Sequence, residues 1–188
     1  MLNIDEFKIY LINDLLGVKR DPDIVYPNVS DSDWENYKSF AQNEDGTIQS
    51  TWRGYLLETL NEKILIDTGM GPGPYEHTKE GGQLINNLNN LSVSPEDINY
   101  VYITHTHGDH IGWNINWDSG KPTLTFPNAE YLISKFDFDF YTNNPNEVKI
   151  KKTLHSCFSF QAYFTTVIKL RTQKKCQIFY IVMCDLSN

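Results

Sequence analysis

Four side chains able to bind a metal fall within six residues, His105-Thr106-His107-Gly108-Asp109-His110, directly behind the run Asn99-Tyr100-Val101-Tyr102-Ile103-Thr104. No other feature narrows the fold as much. A short run rich in Tyr, Val and Ile reads as a largely buried β-strand, and α/β proteins bring ligands to the carboxyl ends of such strands. His105 and His107 stand two apart on the segment leaving that strand, so both imidazoles can point the same way and offer two nitrogens to one cation. If Gly108 lets the backbone turn, Asp109 and His110 face a second position beside the first. Imidazole and carboxylate donors suit zinc, one or two ions, with manganese, iron or cobalt acceptable at similar sites.

The remaining elements supply an α+β setting. Residues 7–12 and 53–60 read as strands, and Lys63-Ile64-Leu65-Ile66-Asp67 as a short buried strand closed by Thr68-Gly69-Met70-Gly71-Pro72. Leu84, Ile85, Leu88 and Leu91 recur at helical spacing, and Ser94-Pro95-Glu96-Asp97 is a helix-start signature. Residues 129–133 predict another strand, with Ser134 capping a short helix through Phe138 and Tyr141. The apolar runs at 162–170 and 178–183 are most easily strands.

At 188 residues the chain is long enough for one domain with a sizeable core, and 40% hydrophobic residues give it the material. A net charge of −8 argues against nucleic acid as a partner. Asp5 and Glu6 fall where a signal peptide would carry positive charge, and no apolar stretch is long enough for a bilayer, so a soluble cytoplasmic protein with no membrane partner is expected. Cys157, Cys176 and Cys184 form no CxxC pair, which points away from a disulfide framework or a thiolate zinc site. Composition shifts near Lys152: beyond it Gly and Pro are absent and Asp185 is the only acidic residue. The reading is therefore a domain over 1–152 that holds the motif, and a divergent or truncated tail over 153–188 that could add strands.

The motif resembles the HxHxDH signature of the metallo-β-lactamase superfamily, and the flanking Ile64-Leu65-Ile66-Asp67-Thr68-Gly69 and Ile111-Gly112-Trp113-Asn114 match it as well. The likeness runs from about residue 7 to 141. Gly112-Trp113-Asn114 and the stretch from Thr123 to Ser134 look like the branch that contains lactonases and organophosphate hydrolases. The resemblance implies a four-layer αβ/βα sandwich with its metals at the edge between two sheets. It makes His105 and His107 ligands of the first metal and Asp109 and His110 ligands of the second, with Asp109 also the catalytic carboxylate. Asp67 matches the strand-end aspartate that stands behind the ligands. The implied reaction is hydrolysis of a small ester, lactone or related substrate by a metal-bound hydroxide.

The second half of such a sandwich should add a third histidine for the first metal, a bridging aspartate and one more histidine. No Gly-His turn follows Tyr141, and His155 lacks the expected glycines. Asp185, after Ile178-Phe179-Tyr180-Ile181-Val182-Met183-Cys184, is a speculative bridging ligand. Only the N-terminal half of the sandwich is expected to be complete. The alternative is accordingly an inactive metal-binding or structural remnant, and an uncovered sheet face leaves self-association open. Trp113, Trp117 and Phe126 are either pocket walls or plain core. His77 and the basic run Lys149, Lys151 and Lys152 are read as solvated.

Overall fold

The computed structural model describes residues 1–75, 81–116, 122–143 and 178–181. A seven-stranded mixed sheet organises them, in the order β1-β2-β3-β4-β5-β8-β9. β1 (Leu2–Ile4), β2 (Phe7–Arg20), β3 (Ile48–Glu58) and β4 (Lys63–Ile66) run antiparallel to one another. From β4 the sheet continues in parallel through β5 (Tyr100–Ile103), β8 (Glu130–Ser134) and β9 (Ile178–Ile181). A separate small ribbon pairs β6 (Ile115–Asn116) with β7 (Thr123–Leu124).

The parallel pairing of β4 with β5 needs a crossover, and helix α4 (Leu84–Asn90) provides it, followed by a 3₁₀ turn at Pro95–Asp97. Leu84 and Leu88 of α4 pack with Leu65, Val101, Ile103, Tyr131 and Ile133 on one face of the sheet, and Phe126 closes this core. On the opposite face Ile64, Ile66, Tyr100, Tyr102 and Leu132 line an apolar hollow of about 320 Å³. No helix among the described residues is long and apolar enough to cross a membrane.

The strand expected at 7–12 is more than twice as long. β2 runs on to Arg20 because two register shifts against β3, flanking Leu15, and a left-handed Gly17 (φ +66°) break the period-two alternation without ending the pairing. Beyond these irregularities the β2–β3 pair carries three one-turn helices that the sequence reading passed over: α1 (Pro22–Val25), α2 (Asp31–Trp34) and α3 (Lys38–Ala41). Asp21 and Ser30 cap the first two, and Tyr26, Trp34, Tyr37 and Phe40 line a 630 Å³ pocket among them. Helix α6 (Lys135–Asn143) follows β8 as expected, with Ser134 Oγ accepting from Asp137 N at 3.5 Å. Residues 178–181 of the expected tail strand lie in β9; the run at 162–170 is outside the described residues.

Candidate functional site

Because β4 and β5 are parallel, their carboxyl ends open on the same edge of the sheet, and the turns leaving them meet there. Asp67 follows β4 in the left-handed region (φ +56°), a conformation that aspartate tolerates better than most residues. The residue is 8% exposed, and its carboxylate is met by three protein donors. Oδ1 accepts from Thr104 N at 2.9 Å, and Oδ2 accepts from Thr104 Oγ1 at 2.7 Å and from His110 Nδ1 at 2.8 Å.

These bonds set the state of two imidazoles. An ionised carboxylate only accepts, so the Thr104 hydroxyl gives it its single proton. That hydroxyl must then accept from His105 Nδ1, 3.1 Å away, which leaves His105 Nε2 with a free lone pair. His110 likewise spends Nδ1–H on Asp67 and keeps Nε2 unprotonated in its neutral form, 3.7 Å from Asp109 Oδ2. This carboxylate-to-imidazole support is how proteins orient metal-binding histidines. Burial pushes Asp67 upward, but the bonds from His110 and Thr104 outweigh it and hold the group below its ordinary range. The bond to Asp67 raises His110 against the opposing effect of burial. His105 is lowered, first by burial and then by neighbouring His110 and His107, which favours the neutral imidazole that a cation needs.

The backbone alternation after β5 aims the first pair. Thr106 turns inward and is buried while His105 and His107 lie on the open side, their ring centroids 4.7 Å apart. His107 is the N-cap residue of helix α5 (Gly108–Ile111), whose first turn carries Asp109 and brings His110 back against His105, with ring centroids 3.9 Å apart. Among the described residues no three His, Cys, Asp or Glu side chains surround one ion position. His105 lies nearer the His110 ring (3.9 Å) than the His107 ring (4.7 Å), so the geometry does not itself divide the donors into the two pairs that the resemblance implies. In kind, and for His105 and His110 also in tautomer, they suit a borderline divalent cation, while the described residues bring no three of them around one position as catalytic zinc usually requires.

The two turns are latched together. Thr68 N donates to His110 O at 2.7 Å, Gly112 N to Gly69 O at 2.8 Å and Trp113 N to Thr68 O at 3.2 Å. The approach is so close that a Cβ on Gly112 would lie 2.0 Å from the Met70 carbonyl. Behind the latch sits Asp14, 1% exposed, which accepts from Met70 N and Leu84 N and from Trp113 Nε1. It thereby caps α4, whose own N-cap Gln83 makes no such bond. Burial raises Asp14 despite these donors.

Asp67, His105, His107, Asp109 and His110 thus stand together at one sheet edge. Asp185, His155, His77, Trp117 and the lysines at 149, 151 and 152 lie outside the described residues. Phe126 is core and not a pocket wall, and Trp113 packs against that core. The sequence reading missed Thr104, Asp14 and Trp52, whose Nε1 donates to Asp109 Oδ2 at 3.0 Å. Asp14 did leave a signal, an acidic side chain in the middle of the apolar run Ile12-Asn13-Asp14-Leu15-Leu16.

Comparison with known proteins gives a consistent result. The family model described as the metallo-beta-lactamase superfamily matches residues 54–167. An N-acyl homoserine lactonase from Bacillus sp is 36% identical over 76 residues, covering 32% of this chain and 30% of that protein. The Bacillus subtilis (strain 168) protein YobT is 35% identical over 85 residues, covering 44% of this chain and 29% of that protein. Among solved structures, the dizinc quorum-quenching lactonase AidC superposes with a TM-score of 0.71 at 21% identity, covering 99% of this chain and 62% of AidC. The matches span less than a third of the length of these two sequence relatives.

Proposed function

The chain belongs to the metallo-β-lactamase superfamily, and from that premise we propose that it is a metal-dependent hydrolase of a small ester, lactone or related substrate. The observation that carries the reading is the pairing of Asp67 and Thr104 with His110 and His105. It leaves Nε2 of both rings available to a cation beside Asp109. His105 and His107 would hold one ion, and Asp109 and His110 a second. Zinc is the preferred ion, with manganese, iron or cobalt as substitutes. When bound, such an ion lowers the pKa of a coordinated water to about 7 and polarises a carbonyl oxygen.

The chain's own residues contribute orientation and proton placement. Asp67 keeps the His110 Nδ1 proton on the side away from the ion position, and Thr104 does the same for His105. Asp109, 36% exposed in its side chain, would be the catalytic carboxylate. The lactone preference is supported by the lactonase names among the relatives and by the Gly112-Trp113-Asn114 segment.

The test is turnover of a panel of lactones and aryl esters by the full chain with added zinc, manganese or cobalt. Hydrolysis should vanish on chelation, return with metal and be lost in His107→Ala. Turnover that survives chelation and His107→Ala would sink the proposal. A second reading, an inactive relative of the family, is favoured by the sequence after Tyr141, which carries no Gly-His turn to supply further ligands. It predicts little tightly held metal and no turnover.

A further inference from the structure

The indole of Trp52 donates Nε1–H to Asp109 Oδ2 across 3.0 Å, joining residues 57 apart in sequence. The contact follows from strand alternation. Leu56 is fully buried and Gly54 lies against the Asp67 backbone, so Trp52, on the same face two residues farther along β3, reaches the space beside the motif turn. Its partner in β2 is Leu15, which sits between the two register shifts, and such irregularities re-aim side chains next to sites.

An indole N–H donates and does not accept. A lysine or arginine here would grip the carboxylate as firmly, but would put a positive charge where the motif would receive a cation. Trp52 fixes the carboxylate through Oδ2 and adds no charge, while Oδ1 accepts no hydrogen bond among the described residues. We propose that Trp52 is a positioning residue for the second ion position: it orients Asp109 so that the carboxylate meets a cation held with His110 Nε2. This rests on the metal-dependent reading above. It assigns a site function to a strand residue that lies well outside the motif.

The experiment compares the full chain with Trp52→Phe, Asp109→Ala and the double variant. Each is stripped of metal and titrated with zinc and with cobalt, and the indole N–H resonances of the metal-free proteins are recorded. Trp52→Phe keeps an aromatic ring and removes the donor. It should weaken the more loosely bound equivalent about tenfold, with no further loss once Asp109 is alanine. Asp109→Ala alone should move the Trp52 indole resonance. Unchanged affinity in Trp52→Phe, or an equal loss with and without Asp109, overturns the positioning role and leaves the metal reading standing. A parent chain that binds no zinc or cobalt overturns both. An indole resonance indifferent to Asp109→Ala overturns the contact itself, and that measurement holds even if Trp52→Phe fails to fold.

Discussion

Asp67 and Asp109 are the two carboxylates of one site, and the protein treats them in opposite ways. Asp67 is buried, held in a left-handed conformation and given three donors, so most of its acceptor capacity is spent within the protein and it serves the fold and the histidine behind which it stands. Asp109 is partly exposed on a one-turn helix and receives one indole N–H. The difference teaches that binding capacity lies where the protein has withheld its own donors. The carboxylate bonded mostly within the protein should govern stability, and the one left more open should govern metal.

The largest break in that contrast is at the latch that brings the two turns together. Gly112→Val places side-chain atoms where a Cβ already meets the Met70 carbonyl at 2.0 Å. It should cost more than about 4 kcal/mol, seen in urea unfolding as loss of the cooperative transition. Asp67→Ala comes next. It strands the Thr104 N–H and the His110 Nδ1–H and puts alanine at φ +56°. About 3 kcal/mol of stability should disappear.

The pH dependence of the metal-free chain sharpens the comparison further. His110 is raised by Asp67, so its contribution is full below the ordinary histidine pKa of about 6.5 and is lost as pH rises through the higher folded value. Asp67 is lowered, so its contribution is present above the ordinary aspartate range and lost as pH falls through its folded value. Urea midpoints should therefore fall from about pH 6.5 upward in the parent, and fall less steeply in Asp67→Asn. Equal slopes would remove the pair from the account. The smallest effect on stability belongs to Asp109→Ala, within about 0.5 kcal/mol, although the same change should release the second metal equivalent. A large loss of stability there would erase the distinction between the two carboxylates.

Much of this was legible in the residues. β4 and β5 are short apolar runs closed by polar turns, and α4 shows its Leu84–Leu88 repeat, because burial on a single core imposes those periods. The motif was legible because its donors are consecutive. What stayed hidden depends on contacts far apart in sequence: Trp52 to Asp109 across 57 residues and Trp113 to Asp14 across 99. The full length of β2 was hidden for a local reason, since Gly17 and the bulges around Leu15 destroy the alternation by which a strand is recognised. Thr104 was read as the last residue of a strand, and its hydroxyl, linking Asp67 to His105, has no signature in sequence.

The most direct test of the central claim is metal per chain, measured by mass spectrometry on protein purified and dialysed without chelator, beside a His105→Ala, His107→Ala variant. The account predicts one or two equivalents of zinc or another transition metal in the parent and a clear loss in the variant. A folded parent that holds no metal, or a variant that holds as much as the parent, would contradict it.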